Sequence, residues 1–387
     1  MINETLVLMA IEYFDDIRPF NDLEAPEAFE RISRDPIFKV LVEQFFPHDP
    51  FEKKAQEVRE YKNITEFHLK FAHHIARTVM GMTCKSILLE GANFLTPEKA
   101  YGFISNHRDI VMDAVIMQTY LYESIKQLME ISFGSNLMMT PFLVDVGKIC
   151  KMYKTERGST QRELLKSSIR LSQYLKHTIV EKNTSFWIAQ RNGRTKDGID
   201  KTDQGLIKML SLCDRHNLKE HFSQLNITPV SISYQYEPCD YLKVRELYLK
   251  QALGTYSKAP GEDYYSIMHG IKQYKGDLCL RITPPINAEI INILPNNETD
   301  FCTAFSQIID KKIITAFQLW DTNYMAYDLL FNENKYNALY TPKQLIDFKK
   351  YMEVQLSKID EIENINTLQK MFLELYANPV IAKNAIS

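Results

Sequence analysis

The sequence lacks the basic excess that proteins usually need to bind nucleic acid. Its 46 Lys and Arg residues and 49 Asp and Glu residues give a formal net charge of -3 over 387 residues. Since nucleic-acid phosphates are usually neutralised by a clear surplus of cations, general nucleic-acid binding is not expected. No apolar run approaches the roughly 18 residues of a spanning helix, and no basic region opens a secretory signal. We expect a protein that is soluble or lies on a membrane surface.

Cysteine pairs are also missing. The six cysteines are scattered and form no C-x-x-C, which favours reduced thiols in a cytosolic protein over a disulfide framework or a zinc site. There is no internal repeat and no linker rich in Gly, Pro or Ser that would divide the chain. The length and the 45% apolar composition allow a large core, in two or three domains or in one elaborated α/β domain.

Short apolar runs alternate with helical patterns between residues 86 and 245. This alternation predicts an α/β layered domain. Thr160 and Glu163 have the spacing of a capping box, which predicts a helix over 161–180. The other predicted strands are 86–89, 101–104, 142–144, 185–190, 227–233 and 278–282, and the other predicted helices are 109–130, 241–251, 300–318 and 342–377.

A polar turn with the sequence Ser-Asn-His-Arg-Asp follows the predicted strand 101–104 and contains His107. Histidine is the side chain best suited to move a proton near neutral pH. Asp113 lies among apolar residues, where a carboxylate needs a partner. A histidine held by a carboxylate can deprotonate a hydroxyl or an amine, which then attacks an acyl carbon. The alternatives are that His107 only caps the helix, or that Asp109 rather than Asp113 is its partner.

Two basic stretches come later in the chain. Residues 191–198 place Arg191, Arg194 and Lys196 on a turn with two glycines after the predicted strand 185–190, which suits a phosphate site as well as it suits a solvated loop. Residues 148–157 carry a cation at every third position. They could form a second basic wall for a polar head group, although a charged face without a ligand is the simpler interpretation.

The N-terminal region contains an apolar stripe at helical spacing, formed by Ile64, Phe67, Phe71, Ile75 and Val79. Such a stripe indicates either a helix packed on the core or an interfacial helix that docks on a bilayer. Adjacent His73 and His74 would point to different faces of the helix, which disfavours a metal site.

Taken together and in this order, these stretches resemble the glycerolipid acyltransferase superfamily, especially a bacterial branch with the variant His-Arg-Asp-Ile-Val-x-Asp. Asn106-His107-Arg108 matches the opening of its first motif, and Asp113 comes one residue later than the usual Asp. Gly147 and Arg157 match the second motif loosely. Gly193-Arg194-Thr195-Lys196 with Gly198 resembles the third motif without its Glu, and Pro229 matches the fourth.

The resemblance implies a layered αβα glycerolipid-acyltransferase-like domain over 86–245, with a helical N-terminal region (1–85) and a mixed α/β C-terminal extension (246–387) packed on it. It implies transfer of a fatty acyl group from acyl-CoA or acyl carrier protein to a glycerol-3-phosphate or lysophosphatidate-type acceptor in phospholipid synthesis, with no metal or bound cofactor. The implied catalytic residues are His107 and Asp113, and the implied substrate-binding residues are Arg157, Gly193, Arg194, Lys196, Gly198 and Pro229.

The same substrates imply a cytoplasmic protein, peripheral on the inner face of the cell membrane, with the stripe from Ile64 to Val79 as its expected contact. Two alternatives remain open. The acceptor could be an amino-acid-based lipid, since the Glu of the third motif is missing. The protein could instead be a catalytically silent lipid-binding scaffold.

Overall fold

A central sheet organises the chain. The computed structural model describes residues 13–138, 140–156, 160–360 and 364–386, and within them the sheet has seven strands in the order β1-β7-β6-β2-β5-β3-β4. The strands are β1 Cys84–Glu90, β2 Gly102–Ser105, β3 Glu130–Gly134, β4 Met152–Thr155, β5 Phe186–Ala189, β6 Ile227–Tyr234 and β7 Gly276–Ile282. β2 to β6 run parallel, β7 is antiparallel to β6, and β1 is parallel to β7. The predicted α/β class is confirmed.

Helices connect and cover these strands. The first seven are α1 Ala25–Arg34, α2 Pro36–Phe45, α3 Phe51–Arg59, α4 Ile64–Phe67, α5 His73–Thr83, α6 Met112–Ile125 and α7 Pro141–Ile149, with a π-helical turn at His68–Ala72 between α4 and α5. The later helices are α8 Gln161–Val180, α9 Gln204–Ser211, α10 Leu218–Gln224, α11 Asp240–Leu253, α12 Glu262–Lys272, α13 Asn287–Ile291, α14 Glu298–Ala316, α15 Asp321–Phe331, α16 Pro342–Leu356 and α17 Ile365–Ile386.

Both faces of the sheet are buried. Successive side chains of a strand point to opposite sides of a sheet, so neighbouring residues of one strand enter different cores. Phe103 packs into a core cluster with α1 to α7, whereas its neighbour Ile104 packs into a second cluster with α8, α9, α10 and α14. Trp187 and Ile188 divide between the two clusters in the same way. The predicted αβα layering is therefore confirmed. A third cluster joins α11 to α15, α16 and α17.

Several predicted elements differ from the structure. The apolar run 142–144 was predicted to be a strand but lies in α7, because Thr140 caps that helix and Pro141 begins it. β3 and β4 were not predicted. The predicted helix 342–377 is two helices, α16 and α17. The capping box of Thr160 and Glu163 is present, and α8 covers the predicted range.

The domain division at residue 245 stays a prediction. One observation bears on its geometry: β7 comes from the predicted C-terminal extension, yet it pairs with β1 on one side and β6 on the other. The sheet is thus shared by both predicted regions.

The apolar stripe of the N-terminal region packs into the core. Ile64, Phe67, Phe71 and Val79 are at most 6% exposed, so the prediction that they contact a bilayer is wrong and the alternative of core packing is correct. His73 and His74 each have a separate hydrogen-bond acceptor, on Glu123 and on the backbone of Phe45. None of the helices in the described part of the chain is long and apolar enough to cross a membrane.

Candidate active site

A cleft of about 320 Å³ opens where the parallel strands β2, β3, β4 and β5 end. Carboxyl ends of parallel strands are where α/β proteins commonly bind ligands, because the loops that follow several strands meet there. His107 follows β2, Arg194 follows β5, and Asn136 follows β3; all three line this cleft. The structure therefore brings the predicted histidine and the predicted basic loop to one site.

His107 is held by Asp113. The Nδ1 atom of His107 lies 3.0 Å from Oδ2 of Asp113, which is fully buried in the first turn of α6. The same oxygen accepts the backbone N–H groups of Arg108 at 2.6 Å and Asp109 at 2.9 Å. The turn between β2 and α6 thus wraps around the carboxylate. Because Nδ1 is engaged, Nε2 is the ring nitrogen of His107 left to act on a substrate.

Asp109 caps helix α6 and does not contact His107. Its Oδ1 accepts the backbone N–H groups of Val111 and Met112, both at 2.9 Å, which caps the start of α6. Asp113, and not Asp109, is therefore the carboxylate that contacts His107.

The basic loop is hydrogen-bonded to the histidine turn. The backbone N–H of Thr195 donates to the carbonyl oxygen of His107 at 2.9 Å, and Gly193 adopts a φ of +76° that favours glycine. Gly193, Arg194 and Lys196 all line the cleft. This backbone hydrogen bond holds the loop that carries the cations next to the histidine.

Arg194 supplies a buried cation with an unsatisfied hydrogen-bond donor. Its side chain is buried, and Nη1 has no hydrogen-bond partner among the described residues. Lys196 differs, since it forms an ion pair with Glu246 of α11. Burial lowers the pKa of Lys196, although Glu246 opposes this shift. Arg194 is therefore the better placed of the two to receive an anion.

Among the described residues, two predicted substrate-binding residues do not line the cleft. Gly198, at a φ of +80°, packs against the carbonyl oxygen of Leu375 in α17. Pro229 lies inside β6, paired with Ile104 of β2. Arg157 lies outside the described residues. Their roles in substrate binding stay predictions.

A buried charge network lies behind the histidine turn. The Arg108 guanidinium forms ion pairs with Asp200 and Glu237, and it donates to the carbonyl oxygen of Gly198 at 3.3 Å. Lys243 of α11 donates to the carbonyl oxygen of Arg108 at 2.7 Å and to Glu237 at 2.6 Å. Burial alone would lower the pKa of Arg108, but the two carboxylates raise it overall. The network keeps the turn rigid and joins it to the C-terminal region.

Asp263, a carboxylate in the cleft, was not predicted from the sequence. Asp263 of α12 lines the cleft, accepts a hydrogen bond from Asn136 at 3.1 Å and pairs with Lys258 at 2.5 Å. Burial raises the pKa of Asp263, but Lys258 and Arg194 more than offset that effect, so the pKa is lowered and the carboxylate carries a charge. No local sequence signal marks it, because it comes from a helix far along the chain.

Apolar and aromatic side chains line part of the cleft. The Trp187 ring meets His107 edge to face at 5.9 Å between centroids, and the Trp187 indole N–H donates to Ser105. The apolar side of the cleft includes Ile110, Leu137, Leu171, Leu206 and Met209. The cleft thus combines a proton acceptor, a cation and apolar side chains, which suits a substrate that has a hydroxyl, an anionic group and hydrocarbon.

Comparisons with known proteins find a similarity to solved structures but to no known family. No protein-family model matches the chain, and no curated protein matches it. The chain is similar to the crystal structure of the 1-acyl-sn-glycerophosphate (LPA) acyltransferase PlsC from Thermotoga maritima, with 13% sequence identity and a TM-score of 0.36. That match covers 76% of this chain and 94% of the other.

Proposed function

We propose that the protein is an acyltransferase that moves a fatty acyl group from acyl-CoA or acyl carrier protein to a glycerol-3-phosphate or lysophosphatidate-type acceptor. One observation carries the proposal: His107, held by the buried Asp113, shares a cleft with Arg194, whose buried Nη1 has no hydrogen-bond partner among the described residues. A general base and an anion site at one sheet edge suit an acceptor that has both a hydroxyl and a phosphate.

The chemistry follows from the orientation of the imidazole. Nε2 of His107 removes the proton of the acceptor hydroxyl while the hydroxyl oxygen attacks the carbonyl carbon of the thioester. The new C–O bond forms, the C–S bond breaks, and the imidazolium returns the proton to the leaving thiolate. Asp113 fixes the tautomer of His107 and stabilises the imidazolium charge, as the carboxylate does in a serine-hydrolase triad.

The two sides of the cleft bind different parts of the substrates. Arg194 binds the phosphate of the acceptor through charge-assisted hydrogen bonds. The apolar side, which includes Leu171 and Met209, accommodates hydrocarbon of the acyl chain.

A second acceptor class is favoured by Asp263. A carboxylate in the cleft repels a phosphate but suits an ammonium or amine group, as found on an amino-acid-based lipid. In that case Arg194 would bind the carboxylate of the acceptor, and Asp263 its nitrogen.

The test is thiol release from acyl-CoA or acyl carrier protein by purified protein, with glycerol-3-phosphate, lysophosphatidate and amino-acid-based lipids as acceptors. We expect turnover that falls by about 10²–10⁴-fold in His107→Ala, the usual contribution of a general base. His216→Ala, at an exposed histidine, is the matched control. Full activity of His107→Ala would exclude this mechanism, and no turnover with any pair would favour the silent scaffold.

A further inference from the structure

Helix α8 changes its environment halfway along its length. In its second half Leu175 and Ile179 are 0% and 6% exposed, as expected for a helix packed on a sheet. In its first half Leu164, Leu165 and Ile169 are 48%, 54% and 36% exposed. Large aliphatic side chains grouped in this way on a surface indicate an interaction site rather than random exposure.

The exposed residues form one side of an amphipathic helix. At roughly 100° per residue, Leu164, Leu165 and Ile169 fall within an arc of about 140°. Arg162 and Lys166, both exposed, border this arc on one side. Glu163 points away from it, and its carboxylate accepts the backbone N–H and the hydroxyl of Thr160 in the capping box. The arc therefore presents three aliphatic side chains, together with Gln161 and Ser168, and has a basic border.

The same helix reaches the candidate active site. Leu171 lies two turns after Leu164, on the same side of α8, and lines the cleft that contains His107. The side of α8 that carries Leu164 therefore leads towards the cleft, with Ser167 and Ser168 on the intervening turn.

We propose that this α8 face, formed by Leu164, Leu165 and Ile169 with Arg162 and Lys166, docks the protein on an anionic lipid bilayer. The inference rests on the proposed function, because a lipid acceptor or product has to move between the bilayer and the cleft. Aliphatic side chains beside cations are the composition of helices that lie in the interface of anionic membranes. An acidic carrier protein would also be attracted by the two cations, but three freely projecting aliphatic side chains match the acyl region of a bilayer better.

Co-sedimentation with vesicles tests the surface without requiring catalysis. The vesicles contain phosphatidylcholine alone or with about one third phosphatidylserine. We expect binding to the anionic vesicles that falls at least tenfold in Leu164→Ser/Leu165→Ser/Ile169→Ser, and a smaller loss in Arg162→Gln/Lys166→Gln, since apolar burial and charge both contribute. The matched control is Leu23→Ser/Leu294→Ser/Ile346→Ser, which removes three exposed aliphatic side chains elsewhere.

Two further measurements separate this inference from the proposed function. The triple α8 variant should keep the thermal unfolding midpoint of the parent chain, and it should keep His107-dependent thiol release with glycerol-3-phosphate, which is soluble. Unchanged sedimentation of the triple variant, or no binding of the parent chain to either vesicle, overturns the docking surface even where thiol release is normal. Loss of affinity for acyl carrier protein with unchanged vesicle binding overturns it as well and assigns the face to a protein partner.

Discussion

The phenol oxygen of Tyr234 lies 2.8 Å from Oδ1 of Asp113, the carboxylate oxygen that does not contact His107. Tyr234 is at the end of β6 and is buried. Burial raises its pKa well above the ordinary value, and the charge of Asp113 adds to the shift, so the hydroxyl keeps its proton and acts as a donor. With the two backbone donors and His107, both oxygens of Asp113 are engaged, so the polar atoms of this buried carboxylate are satisfied.

We expect Tyr234→Phe to lower catalytic activity. Without this donor the carboxylate of Asp113 loses one of the hydrogen bonds that hold it in place beside His107. Activity at pH 7 should fall by roughly tenfold, the value of about one hydrogen bond to a charged group. The measurement is thiol release, with kcat and KM determined separately.

Tyr340→Phe is the matched control for that experiment. Its hydroxyl also donates to a carboxylate, Asp328 at 2.7 Å, but neither residue lines the cleft. Unchanged activity in Tyr234→Phe would show that Tyr234 contributes to packing only.

The partnership of His107 with Asp113 could be predicted from sequence because it is local: one turn joins the two residues. The Tyr234 donor could not, since it depends on β6 lying beside β2 in the sheet. Secondary-structure predictions failed for a similar reason, because some local patterns are ambiguous or weak. A short apolar run such as 142–144 fits a buried strand and a buried helix equally well, whereas β3 and β4 contain polar residues that hide their pattern.

The two glycines of the basic loop should respond differently to alanine. Both have positive φ values, +76° at Gly193 and +80° at Gly198, so each substitution costs roughly 1–2 kcal/mol of backbone strain. A Cβ at Gly193 meets no atom within 4 Å, whereas a Cβ at Gly198 would lie 2.1 Å from the carbonyl oxygen of Leu375. Gly198→Ala should therefore lower the free energy of unfolding by clearly more than Gly193→Ala. Urea unfolding checks this, and equal losses would contradict the close contact with α17.

The C-terminal helix should also support the loop through Asn378. Its Nδ2 donates to the carbonyl oxygen of Asp197 at 2.7 Å, which ties the end of the basic loop to α17. We expect Asn378→Ala to raise the KM for a phosphate-bearing acceptor several-fold with little change in kcat, because the loop that carries Arg194 loses a restraint. Asn384→Ala is the control, since Asn384 is on the same helix and bonds Tyr336 instead. Equal KM values in both variants would contradict this role.

This restraint was beyond sequence reasoning. The motif of residues 191–198 predicts a basic turn with glycines, and the structure has one. Gly198 is needed because its backbone contacts Leu375 of α17, which lies far along the chain. No local pattern in α17 indicates that this helix contacts the basic loop.

His68 should make stability depend on pH. It lies in the π-helical turn, is buried, and has no hydrogen-bond partner for either ring nitrogen among the described residues. Burial lowers the pKa of His68 from 6.5 to about 4, with nearby His73 and Lys151 acting in the same direction. Between these two values the unfolded chain binds more protons than the folded chain. The free energy of unfolding should therefore decrease as pH falls from about 6.5 and level off near 4, by about 3 kcal/mol from this group alone.

Urea unfolding of the parent chain and of His68→Leu from pH 7.5 to 4.5 isolates this effect. The leucine removes the titrating group and leaves an apolar side chain in an apolar site, so the variant should lose up to about 3 kcal/mol less than the parent over that range. His48→Leu, at an exposed histidine, should follow the parent curve. Parallel curves for the parent and His68→Leu would mean that His68 accepts a proton in the folded state as readily as in the unfolded chain.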